Sequence, residues 1–115
     1  MLKENRRYQR INIRVPVQLT LSSGKVLTMT SVNLSGGGIA VGSEAPADSG
    51  TQFTLSFPVS AGIESKSIRV VAEVVHQYLS RDNNEYVIGM AFVQISEAER
   101  LLVDSYVKSI DRIRS

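Results

Sequence analysis

From Ile11 onward, apolar and polar side chains alternate: Ile11, Ile13, Val15, Val17, Leu19 and Leu21 are separated by Asn12, Arg14, Pro16, Gln18 and Thr20. A period of two sends one set to a buried face and the other to water, so residues 11–21 predict a half-buried strand. Pro16 has no amide hydrogen for a ladder and predicts an edge position or a bulge. Ser22-Ser23-Gly24 predicts a turn, and Lys25 to Leu34, rich in Val, Thr and Leu, a second strand. The glycines at 36–38 come next, and Ile39-Ala40-Val41 predicts a short third strand. Ser43 to Gly50, with Pro46, Asp48 and Ser49, reads as a loop. Thr51 to Val59 predicts a fourth strand with Phe53, Leu55 and Phe57 on one face. Ser65 to Leu79 predicts a fifth strand, too long to stay flat and expected to bend or bulge. A turn at Arg81-Asp82-Asn83-Asn84 leads to a sixth, Tyr86 to Ile95. Residues 1–10 show no apolar periodicity and predict a mobile polar arm.

The period changes at Ser96. Ser96-x-x-Glu99 has the form of a capping box, in which the serine oxygen takes an orphan amide and the glutamate reaches back. Ala98, Leu102, Tyr106, Ile110 and Ile113 then fall on one helical stripe, with Val103 and Val107 beside it. Six strands joined by short connections, with no helix between them, predict an antiparallel barrel or sandwich, and closure into a barrel removes exposed edges. The expected architecture is a mainly β fold: a six-stranded antiparallel β-barrel over residues 11–115, with a helix at about 96–113 packed on it.

Composition narrows the function. At 115 residues, 43% hydrophobic and 21% charged, the chain fits one soluble globular domain. With no cysteine there is neither a disulfide framework nor a Cys-based metal site, which suits a cytoplasmic location. The first ten residues contain no apolar stretch of signal-peptide type, and no apolar run is long enough to cross a membrane as a helix, so membrane insertion is not expected. Residues 1–14 hold five basic groups (Lys3, Arg6, Arg7, Arg10, Arg14) and one acid, Glu4, giving +4. The remaining eight basic and ten acidic groups give −2. A cationic arm on a slightly acidic body points to a compact anionic partner gripped at one end, not to a long nucleic-acid track.

Two motifs carry chemistry. Arg6 and Arg10 form R-x-x-x-R within Arg6-Arg7-Tyr8-Gln9-Arg10, and Asn33, Ser35 and Gly38 form [D/N]-x-S-x-x-G within Asn33-Leu34-Ser35-Gly36-Gly37-Gly38. By itself the first reads equally as a solvated basic tail, and the second as a hairpin turn with local side-chain bonds. Asn33 and Ser35, two apart on an extended stretch, should share a face and present an amide and a hydroxyl. Gly38 is expected to supply a φ above zero and to allow a ligand close to the backbone. His76, the single histidine, has no cysteine or acid cluster near it in sequence and reads as structural. Glu97 and Glu99 suit the start of the helix, and Phe53, Phe57 and Phe92 follow core spacing. Tyr8 reads as either a base-stacking residue or an exposed spacer, and Gly89 as a strand bend or close backbone approach.

In this order, at the front of a small β-rich chain, the two motifs resemble the PilZ domain, a bacterial receptor module for cyclic di-GMP. The resemblance spans nearly the whole chain and implies a free-standing, non-catalytic, cytoplasmic receptor that changes conformation on binding this second messenger and signals to a downstream protein. It assigns ligand contacts to Arg6 and Arg10, with Arg7 as a helper, and to Asn33, Ser35 and Gly38. Arginine suits such a ligand, because its fork pairs with phosphate oxygens and with guanine O6 and N7 while its flat face stacks on a base. Asn33 stands where many relatives carry Asp, so a charged acceptor is replaced by a neutral amide. Cyclic di-GMP is a ligand here, and no cofactor or metal is implied. Two other readings stay open: a PilZ-like interaction module that has lost nucleotide binding, and a small barrel that binds single-stranded nucleic acid. The second would require exposed aromatics and a basic groove, whereas aromatics are only 6% and the body is acidic. No Ser/His/Asp constellation, metal-ligand cluster or carboxylate pair for an enzyme can be assembled.

Overall fold

The computed structural model describes residues 8–115, the side chain of Ala61 excepted. Seven strands precede one helix: β1 (Arg10–Asn12), β2 (Pro16–Thr20), β3 (Val26–Ser35), β4 (Gly38–Ser43), β5 (Gln52–Ala61), β6 (Glu64–Ser80), β7 (Glu85–Gln94) and α1 (Glu97–Arg114). All pairings are antiparallel, in the order β3-β2-β5-β6-β7-β4, and β4 returns to β3 to close a six-stranded barrel. The short β1 adds to β3 beyond the end of β2.

The single strand expected over 11–21 is thus two. β1 pairs with Asn33 to Ser35, and β2 with Val26 to Thr30. Between them the hydroxyl of Ser31, fully buried, donates to the Ile13 carbonyl and accepts the Val15 N–H at 2.9 Å. The side chain thereby satisfies backbone groups where the ladder is interrupted, as buried polar groups require. Pro16 opens β2, where its missing amide hydrogen breaks no interior ladder.

Two bulges set which side chains point outward. On β3 the register steps from Ser31 opposite Val41 to Asn33 opposite Ala40, leaving Val32 as the extra residue. Leu27, Met29 and Ser31 face inward before it, and Leu34, 0% exposed, faces inward after it. Asn33 and Ser35 therefore move to the outer face. On β6, Val74 pairs with Met90 and His76 with Gly89, so Val75 is extra and His76 is turned outward in the same way. The long strand is bulged, as expected.

Leu55, Phe57, Ile68, Val74 and Phe92 belong to one continuous core, with the rings of Phe57 and Phe92 stacked at 6.0 Å. Helix α1 packs against β1, β3 and β5. Its buried centre is Val103 and Val107, both 0% exposed; Leu102, Tyr106 and Ile110 flank it, and Ile113 is 77% exposed. The helix is thus rotated from the stripe read in the sequence, because the barrel selects the face with the branched, compact valines. The Ser96 hydroxyl accepts the Glu99 N–H at 3.1 Å and donates to the Glu99 carboxylate at the same distance. The glutamate therefore reaches the hydroxyl of the cap. Among the described residues no helix is long and apolar enough to cross a membrane, and no group of three or more His, Asp or Glu side chains could hold a metal.

Candidate functional site

Strand register brings the described parts of both motifs together. Arg10 lies directly opposite Ser35, and Asn12 opposite Asn33. Direct partners on an antiparallel ladder send their side chains to the same face, so Arg10, Asn12, Asn33 and Ser35 form one outward patch. Arg6 and Arg7 lie outside the described residues.

Across β4, β7 and β6 the patch continues as two rows. One runs Asn12, Asn33, Ala40, Gly89, His76; the other runs Arg10, Ser35, Gly38, Ala91, Glu73. Glycine and alanine occupy the four central positions, so the middle of the sheet is a low floor between a polar flank on β1 and β3 and a second flank on β6. A hollow of about 90 Å³ opens there, lined by Arg10, Gly38, Ala40, His76, Gly89 and Ala91 among others. A larger hollow of about 420 Å³ is lined by Arg14, Glu44 and Glu85 among others. Two carboxylates there disfavour a phosphate ligand, so the smaller hollow, a bed more than a pocket, is the better candidate.

The glycines act differently from the expectation. Positive φ among glycines occurs at Gly24, Gly50 and Gly62, and Gly38 is not one of them. A Cβ at Gly38 would lie 2.4 Å from the Met90 carbonyl oxygen, so this glycine permits close approach of β7 and not a left-handed turn. Gly37 accepts the Phe92 N–H at 3.0 Å, tying the turn to β7. At Gly36 a Cβ would stand 3.0 Å from the Tyr8 ring.

Tyr8 is neither spacer nor exposed platform. Its ring covers Gly36 and Gly37, and the Arg100 guanidinium of α1 lies 5.5 Å from its centroid. Arg100 also donates to the Gly36 carbonyl at 3.1 Å. One cation thus holds both the glycine turn and the Tyr8 ring. Nothing in the sequence near Arg100 signals this contact, because it spans 64 positions. Beside it, Asp104 pairs with Lys108 at 3.0 Å.

Ser35, 3% exposed, accepts the Gly37 N–H at 3.1 Å, so its oxygen also shapes the turn. Among the described residues its own O–H has no acceptor, which leaves a donor for a ligand. Asn33 is half-buried. Gly89 is where His76 crosses the strand: a Cβ there would lie 2.4 Å from the imidazole Cε1. The close approach read for Gly89 is thus to a side chain.

The family model for the PilZ domain matches residues 4–109. The chain belongs to the PilZ domain family. A search of curated proteins finds no match. Among solved structures, this PilZ chain is similar to the Bacillus subtilis inhibitor of motility (MotI/DgrA), with 18% identity and a TM-score of 0.88 over 97% of this chain and 54% of that one. It is also similar to the PilZ domain of YcgR from Escherichia coli, solved with c-di-GMP, with 19% identity and a TM-score of 0.69 over 96% and 95% of the two chains. A third is the K. pneumonia MrkH–c-di-GMP complex, with 14% identity and a TM-score of 0.71 over 98% and 55%. The chain thus spans about half the length of the first and third and nearly all of the isolated YcgR domain. At these identities the likeness is one of fold.

Proposed function

We propose that this PilZ domain is a non-catalytic receptor for cyclic di-GMP, which lies across the outer face of β1, β3 and β4. The observation that carries this reading is the pairing of Arg10 with Ser35 and of Asn12 with Asn33. It sets the described arginine of one motif beside the polar residues of the other. Relatives of the same fold in E. coli and K. pneumonia are solved with c-di-GMP, which supports the choice of ligand.

In this reading Arg6, Arg7 and Arg10 supply charge-assisted bonds to phosphate and guanine. Asn33 offers an amide, Ser35 its unspent O–H, and Gly38 keeps the bed low. Ligand phosphates neutralise the crowded arginines and draw the basic arm that carries Arg6 and Arg7 over the bed, creating a surface that a downstream cytoplasmic protein reads. Calorimetric titration with cyclic di-GMP tests the reading, with an expected affinity on the order of −8 kcal/mol, in the micromolar range or tighter. Arg10→Ala should weaken binding by roughly 1.5–3 kcal/mol, the worth of a charged hydrogen bond. No heat and no thermal shift at high ligand excess would leave an interaction-only module in its place.

A further inference from the structure

His76 lies far from both motifs in the chain, yet the fold brings it to the same bed. It pairs with Gly89, which pairs with Ala40, which pairs with Asn33. Each partner between His76 and Asn33 is Ala or Gly, so among the described residues no side chain longer than a methyl group stands between them along this row. The imidazole lies over Gly89, with Cε1, Nε2 and Nδ1 at 2.4, 2.5 and 3.0 Å from where a Cβ would be. It is exposed, lines the same hollow as Arg10 and Gly38, and has no hydrogen bond among the described residues. The Val75 bulge is what turns it outward, since β6 in unbroken alternation would send it toward the core with Val74.

We propose that His76 is a further ligand-contacting residue of this domain, forming the far wall of the bed and packing its imidazole against a guanine base of the bound dinucleotide. This deepens the cyclic di-GMP reading and rests on it. The chemistry fits: the other flank supplies the Arg10 cation and hydrogen-bond donors for phosphates, but the described patch there contains no aromatic plane. Tyr8 is occupied under Arg100. Purine bases gain affinity from an aromatic side chain whatever their edge, and the two ring nitrogens of His76 remain available for a base edge as well.

The test is a calorimetric titration of wild type, His76→Ala and His76→Phe with cyclic di-GMP, together with NMR observation of the His76 Cε1–H resonance. Melting temperatures check that the variants fold, which an exposed position should allow. Wild type is expected to bind, His76→Ala to lose about tenfold in affinity or more, and His76→Phe to stay within about threefold, as expected for a stacking contact. The His76 resonance should shift during the titration. Full-strength binding by His76→Ala, an unmoved resonance, or equal losses in the Ala and Phe variants would each overturn the inference while leaving the receptor reading in place. No binding by wild type would overturn both, and that outcome is separate from the others.

Discussion

Gly38 and Ser35 face one another across the β3–β4 hairpin and serve it differently. Gly38 makes room for the Met90 carbonyl, and Ser35 holds the Gly37 amide. Gly38→Val should therefore separate β4 from β7, with a stability loss of roughly 1–3 kcal/mol in urea denaturation as an overpacking change, and it should abolish ligand binding. Ser35→Ala removes an acceptor from the turn and a donor from the bed, so stability should fall by about 1 kcal/mol along with affinity. Asn33→Ala should lower affinity and leave the urea midpoint nearly unchanged, because no hydrogen bond within the fold depends on that side chain among the described residues. Equal stability losses in the Asn33 and Ser35 variants would mean that the motif serves only the turn.

At the scale of elements, two single-residue bulges shape the proposed site. Val32 changes the phase of β3 and Val75 that of β6, and both place polar side chains outward on a sheet whose inner face is closed. Helix α1 completes the arrangement, since it seals the core with Val103 and Val107 and sends Arg100 to the glycine turn. Its start depends on the Ser96 cap. Ser96→Ala should cost about 1 kcal/mol, read as a fall in melting temperature of a few degrees. A larger share of the loss should appear as faster amide exchange in the first turn than in the turn around Val107.

For the whole molecule the charge distribution matters most. Residues 1–14 carry +4 and the rest of the chain −2, so an anionic ligand held by the N-terminal arginines would relieve repulsion among them. Amide hydrogen exchange at Arg6 and Arg7 should slow when cyclic di-GMP is bound, while exchange in β5 should not change. If binding is confirmed and exchange at these two residues is the same in both states, the arm does not convey the signal.

Much of this protein was legible from one dimension. Alternation, strand-forming residues and turns marked most of the strands, the shift to helical spacing at Ser96 marked α1, and two short motifs pointed to the family. Local chemistry encodes these features, since strand period, capping and turn residues act over a few positions. The tertiary structure decided what depends on distant partners. Whether 11–21 would be one strand or two rested on the Ser31 hydroxyl, and the face of α1 that is buried rested on the barrel it meets. The reason for Gly38 lay in a carbonyl on β7, and the positions of Tyr8 and His76 in Arg100 and a bulge. A sequence shows which residues can hydrogen-bond or pack, but antiparallel register decides which meet, because pairing joins residues scores of positions apart.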